Sequence, residues 1–235
     1  MDTHAFAPFT FNTTPSVIFE PGAARRFGVL AGRKLGRAVL FVTDPGLRKL
    51  GLCDQAIASL EAEGATVTVF DAVEADPSRG TLEQAVEAGR AAGATGVAGF
   101  GGGSSLDVAK LAALLIGSGE DLDAAWGVGQ AKGPRLPLAL VPTTAGTGSE
   151  VTPVSIITVG EEEKRGVSSP AILPDIAVLD AELTLGLPPA ITAATGIDAM
   201  VHAIEAYASR NANNNPLSRM LARQEIEAGD LNSGR

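Results

Sequence analysis

The sequence predicts an α/β fold in which a parallel sheet covered by helices is followed by the start of an all-helical segment. Three observations carry this. Short apolar runs alternate with helical stretches between Ala38 and Val141; a glycine-rich turn joins one such run to an amphipathic stretch; and beyond Thr184 the strand pattern gives way to small-residue helix. Strands of about five residues separated by helices of about 10–17 imply parallel pairing, because a parallel neighbour is reached only through a long crossover.

Ser16 to Phe19 is a short β-prone segment closed by Pro21-Gly22, read as an N-terminal strand or hairpin edge. Ala38 to Val42 predicts a strand, Leu47 to Glu63 a helix, and Thr66 to Phe70 a second strand. A helix follows from Pro77-Ser78 to Ala92, then a small-residue strand from Thr95 to Phe100, then the helix of Leu106 to Ile116. Leu136 to Val141 reads as a buried strand, Val151 to Val159 as β-prone, and Ile176 to Leu179 as a last strand. After Leu183, Leu185 and Leu187, the pair Pro188-Pro189 opens a long helix from Ala190 to Ala208. The expected domains are therefore residues 1–185, α/β, and 186–235, the beginning of a helical domain.

Composition narrows the function classes. The chain has 235 residues, 45% apolar and 19% charged, as a folded globular protein does. With 18 basic against 27 acidic residues its net charge is −9, which argues against nucleic acid and anionic membrane surfaces. Aromatic residues are 4%, too few for base-stacking platforms. The longest apolar runs are far below the roughly 20 residues that span a bilayer. Cys53 is the sole cysteine and Met1 to Ala5 lack a signal-peptide pattern, so a cytoplasmic location is expected. Only His4 and His202 are histidines.

Four groups of residues carry chemistry. Gly99-Phe100-Gly101-Gly102-Gly103-Ser104 stands between a predicted strand and a predicted helix, where unpaired amides and the helix dipole favour a phosphate. Ser104 replaces the third glycine of the dinucleotide fingerprint, and a turn capped by Ser104 or Ser105 is the plain alternative. Asp44 ends a strand at the carboxyl edge, where a carboxylate accepts hydrogen bonds from a ribose diol and repels a 2′-phosphate; equally, Asp44-Pro45-Gly46 is helix-capping chemistry. Pro142 to Glu150 sets Thr143, Thr144, Thr147 and Ser149 with two glycines directly after a buried strand, suited to a polar ligand or to a bland loop. Asp198 and His202 are four apart, so a helix presents both on one face as half of a metal site or as an internal hydrogen bond. Lys164 and Arg165 follow three glutamates, as an exposed charged turn or as cations near a cofactor.

Taken in order, Gly101-Gly102-Gly103-Ser104 with Asp107 and Lys110, Pro142-Thr143-Thr144-x-Gly146-Thr147-Gly148-Ser149-Glu150, Lys164 to Asp180 with Leu173-Pro174-Asp175, and Gly196-Ile197-Asp198-Ala199-x-x-His202-Ala203-Ile204-Glu205 resemble the iron-containing, group III alcohol dehydrogenases over roughly residues 8–222. The resemblance implies a dehydroquinate-synthase-like dinucleotide-binding domain, then an all-helical one, with NAD and a divalent metal, iron(II) or zinc, in the cleft between them. It implies reversible hydride transfer between a small primary or secondary alcohol and NAD, and a homodimer or larger assembly. Asp44 looks like the residue that selects NAD, and Gly101, Gly102, Gly103 and Ser104 like the pyrophosphate turn. Thr143, Thr144, Thr147 and Ser149 resemble further cofactor contacts, with Val151, Lys164 and Leu183 as neighbours. Asp198 and His202 resemble the first two metal ligands and hence the catalytic centre. The family uses one aspartate and three histidines, and here no histidine follows His202. The chain therefore looks truncated, and an NAD-binding remnant without catalysis, or a glycerol dehydrogenase-like relative, are the alternatives.

Overall fold

The computed structural model describes residues 8–161 and 163–232. The N-terminal stretch with His4, Glu162 of the charged segment, and the last three residues lie outside the described residues. The chain divides by contact into two units, one of residues 13–144 and 148–186, the other of residues up to 12, 145–147 and 187 onward. The tip of the hydroxyl-rich loop and the residues before Thr13 thus group with the helical segment, an arrangement the sequence reading did not contain.

In the larger unit, β1 (Ser16–Phe19) is followed by short 3-10 and π turns and by α1 (Arg33–Leu35). Next come β2 (Ala38–Val42), α2 (Pro45–Lys49), α3 (Asp54–Ala62), β3 (Thr66–Phe70) and α4 (Arg79–Ala91). Then β4 (Gly96–Gly101) leads into α5 (Gly103–Ser118), with α6 (Leu122–Ala125), β5 (Gly127–Val128) and β6 (Leu138–Pro142) after it. The antiparallel pair β7 (Val154–Val159) and β8 (Glu163–Ser168) precedes β9 (Ile176–Leu179). The single helix expected from Leu47 to Glu63 is two, because Gly51 at φ 69° turns the chain out of the helix between them. Lys164 and Arg165 lie on a strand, where a turn was expected.

Six strands form one parallel sheet in the order β1-β9-β6-β4-β2-β3. The N-terminal strand is an edge, paired parallel to β9 and not part of a hairpin. Alternation along each strand feeds two cores, as the pleat requires. Leu40, Val42, Val97, Leu138 and Leu140 face α4 and α5, while Val39, Phe41, Ala98, Phe100 and Val141 face Phe27, Leu35 and Leu60 on the other side. Phe41 and Phe100 stack there with centroids 5.8 Å apart. In the second unit, α7 (Pro189–Ala208) and α8 (Pro216–Asn232) pack on each other. Among the described residues no helix is long and apolar enough to cross a membrane.

One polar clasp closes the amino edge of the sheet. Asp175, just before β9, accepts from the Leu138 amide (2.9 Å) and from Arg135 (2.7 Å), and pairs with Lys34 (3.0 Å). Arg135 also donates to the Leu173 carbonyl. Burial pushes the Asp175 carboxyl up, but Arg135, the Leu138 amide and Lys34 together hold it below the usual carboxylate range. Its contribution is thus present above the unfolded value of about 4 and is lost as pH falls through the folded one. Asp175→Asn is expected to cost about 1–2 kcal/mol at pH 7 and to flatten the acid limb of stability measured by urea unfolding between pH 3 and 7.

Candidate functional site

Because every strand of the main sheet runs the same way, the carboxyl ends of β2, β4 and β6 collect on one edge. At that edge β4 ends at Gly101 with φ 149°, a backbone that a side chain would strain. A β-carbon there would stand 2.7 Å from the Ser105 hydroxyl and 3.3 Å from Leu47 on α2. Gly102 is the N-cap of α5 and offers no side-chain cap, so the serine-capped turn is not what forms. The first-turn amides of a 16-residue helix, running through Gly103 and Ser104, therefore emerge without a capping side chain. Amides and dipole together make an anion-binding end.

Two further segments meet this turn. The Thr143 amide donates to the Gly101 carbonyl (3.0 Å), which starts the hydroxyl-rich loop beside the glycines. Thr143 is buried and Thr144 half-buried, the Thr144 side chain 3.8 Å from where a Gly102 β-carbon would be. Asp44 ends β2 half-buried, and its Oδ1 accepts from the Leu47 amide (3.0 Å) as the N-cap of α2. The capping alternative is thus realised, with one carboxylate oxygen engaged in it.

The rest of the loop diverges. Thr147 is exposed, while Gly146 packs so closely on α7 that a β-carbon would come within 2.6 Å of the Thr195 carbonyl. Ser149 is buried and donates to Asp107 Oδ1 (2.6 Å), and Val151, half-buried, ends the short helix Ser149–Val151. Lys164 stands on β8, exposed and ion-paired with Asp76 (2.5 Å). Leu183 lies in the 3-10 turn Ala181–Thr184 and lines, with Leu52, Gln55 and Asp180, a cleft of about 210 Å³.

Sequence reasoning quoted Asp107 and Lys110 but gave them no role. They form a charged cluster inside the core. Lys110 has no exposed side-chain surface; its ammonium donates to the Val154 carbonyl (2.6 Å) and stands 3.7 Å from Asp107 Oδ1. Asp107 Oδ2 accepts from the Ile156 amide (2.9 Å), and the Ser155 hydroxyl donates to the Asp107 carbonyl (3.0 Å). Burial lowers the Lys110 pKa to about 8 against the pull of Asp107 and Glu150. Burial likewise raises both carboxyls, Asp107 despite Lys110, Ser149 and Ile156, and Glu150 despite its own amide and Lys110. The signal available beforehand was an i, i+3 pair of opposite charges on an otherwise apolar helix.

In the helical unit, Asp198 and His202 share one face of α7. Their Oδ1 and Nε2 are 3.8 Å apart, too far for the internal hydrogen bond. Their side chains are 44% and 54% exposed, and Glu205 is exposed as well. Among the described residues no group of three His, Cys, Asp or Glu side chains is placed to hold a metal.

The model of the iron-containing alcohol dehydrogenases matches residues 14–181, and that of the family's C-terminal part matches residues 192–228. The chain is 36% identical over 200 residues to sulfoacetaldehyde reductase of Bilophila wadsworthia, covering 85% of this chain and 52% of that protein. It is 45% identical over 194 residues to long-chain-alcohol dehydrogenase 1 of Geobacillus thermodenitrificans, covering 81% and 48%. The solved structure of sulfoacetaldehyde reductase from Bifidobacterium kashiwanohense in complex with NAD+ superposes with a TM-score of 0.79 at 27% identity, over 94% of this chain and 66% of that one. The chain thus spans about half the length of the curated relatives it matches. By the family model covering most of its length, this chain belongs to the iron-containing alcohol dehydrogenase family.

Proposed function

We propose that this chain is the NAD-binding part of a metal-assisted alcohol dehydrogenase, with a small alcohol or aldehyde as substrate class. The observation that carries the reading is the N-terminus of α5, which leaves the carboxyl edge of a parallel sheet through Gly101–Gly103 with no capping side chain. A pyrophosphate fits there: glycine lets the backbone approach, and the amides of Gly103 and Ser104 face an anion. Thr143 and Thr144 lie beside it, with Thr147 and Ser149 further along the same loop as cofactor contacts. Asp44 receives the ribose on the oxygen that does not cap α2, which favours NAD over its 2′-phosphate. Val151, Lys164 and Leu183 are outer neighbours of the bound cofactor. The neighbouring structure described with NAD+ supports this assignment.

The chemistry is a reversible exchange in which the alcohol carbon gives a hydride to the nicotinamide and the hydroxyl proton leaves. In this role the chain's own residues bind and orient the dinucleotide. The metal, iron(II) or zinc, does not fit equally well. Asp198 and His202 offer two donors on one exposed helix face, and among the described residues no third metal-ligating side chain joins them. We read the 235-residue chain as turning over alcohol slowly or not at all, acting in the cytoplasm and assembling as a homodimer or larger. The incomplete donor pair also favours a second reading, an NAD-binding protein without catalysis.

Two experiments test this. Gly102→Asp puts a carboxylate at the N-cap, where a β-carbon has room beside Thr144. Thermal stability is expected to hold or rise by a few tenths of a kcal/mol, while the dissociation constant for NADH rises at least roughly tenfold, read by nicotinamide fluorescence. Equal NADH affinity in the variant would contradict the pyrophosphate assignment. For the metal, the purified chain dialysed after loading with iron(II) or zinc is expected to retain well under one ion per chain and to form almost no NADH from alcohols. One tightly held ion per chain with brisk turnover would overturn that part.

A further inference from the structure

Lys110 is a full positive charge with no exposed side-chain surface, on the helix whose first turn takes the cofactor's phosphates in the reading above. Nothing in that reading uses it. A lysine is rarely carried into a core, since burial of an ammonium costs several kcal/mol unless it is paired. Its partners all belong to one small region. The Val154 carbonyl accepts from Nζ, Asp107 stands one turn earlier on α5, and Glu150 acts on it from the short helix at the end of the hydroxyl-rich loop. Asp107 and Glu150 are the two charges acting on this lysine. Asp107 in turn takes the Ser149 hydroxyl on one oxygen and the Ile156 amide on the other.

We propose that Lys110 is the positioning residue of the cofactor loop: as the buried counter-ion of Asp107 it locks Ser149 and strand β7 against α5, and the charge it carries there sets the affinity for the dinucleotide. This deepens the dinucleotide reading and rests on it. With Lys110 protonated and both carboxylates ionised, the cluster carries a net charge of −1; with Lys110 neutral it carries −2. The change takes place two turns, about 10 Å, from the helix end that receives a dianionic pyrophosphate. In a region of low effective dielectric, one charge at that distance is worth roughly a factor of ten in affinity. Lifting β7 from α5 would hydrate Lys110 and return its pKa toward the unfolded value, so the closed arrangement gains as pH rises.

The sign separates this role from a merely structural one. Burial lowers the lysine's pKa in the folded state to about 8, below its unfolded value near 10.5. Between those values the unfolded chain holds the extra proton, so this group makes the fold more stable as pH rises. Cofactor affinity is expected to fall over the same range. A lysine that only supported the fold would give no such loss.

The test is NADH titration of the full chain from pH 6.5 to 9.5, alongside amide hydrogen exchange at Ile156 expressed as protection over the intrinsic rate. The dissociation constant is expected to rise roughly tenfold with a midpoint near 8, and Ile156 protection to rise from the same midpoint. Lys110→Met is expected to hold the high-pH affinity throughout, with no step. A flat profile in the wild-type chain, or the same step in Lys110→Met, overturns the proposal. Both wild-type readouts stand whether or not that variant folds. If the wild-type chain binds no NADH at pH 7, the dinucleotide reading fails; the lock is then judged by Ile156 protection alone, which supports it by rising above pH 8 and overturns it by staying constant or falling.

Discussion

Helix α5 is buried along almost its whole length, from Ser105 to Leu115, and it cannot be so without partners for the two charges it carries. That constraint organises the larger unit. Lys110 and Asp107 draw strand β7 and the end of the hydroxyl-rich loop onto the helix through the Val154 carbonyl, the Ile156 amide, and the Ser155 and Ser149 hydroxyls. A buried ion pair is weak evidence for stability, because desolvation offsets much of its attraction. What it supplies here is register: the end of the hydroxyl-rich loop is fixed to the helix whose uncapped N-terminus stands at the carboxyl edge of the sheet.

The parallel sheet supplies the second half of the arrangement. It gathers the carboxyl ends of β2, β4 and β6 on one edge, so that Asp44, Gly101 and Thr143, from three separate strands, become neighbours of one helix terminus. The opposite edge is closed by Asp175 with Arg135 and Lys34. The polar clasp and the glycine turn thereby stand at opposite ends of the same strands. The helical unit is of another character. Ile197, Val201, Ile204, Met220 and Leu221 lie at its surface, and Asp198 with His202 stands half-exposed among them.

Much of the sheet was legible in the sequence because apolar runs and helical stretches follow different periods, and β2, β3 and β9 fall where those runs predict. The glycine turn was legible as a strand-to-helix junction, which β4 and α5 form on either side of Gly102. Three things were not. The break between α2 and α3 depends on one left-handed glycine, which a helical pattern does not reveal. The pairing of β7 with β8 placed Lys164 on a strand because charged residues on an exposed hairpin mimic a turn. The charged cluster depends on contacts between α5 and residues more than 40 positions away, which local pattern cannot supply. Asp44 shows the limit from the other side: both of its readings were visible, and the geometry realises the helix cap.

In the proposed function the bare N-terminus of α5 receives the pyrophosphate of a dinucleotide. Its most direct test is a crystal structure of this chain grown with NADH. Pyrophosphate oxygens are expected within hydrogen-bond distance of the backbone amides of Gly103 and Ser104, with the Asp44 carboxylate on the ribose. A dinucleotide bound elsewhere, with those amides facing only water, would contradict it.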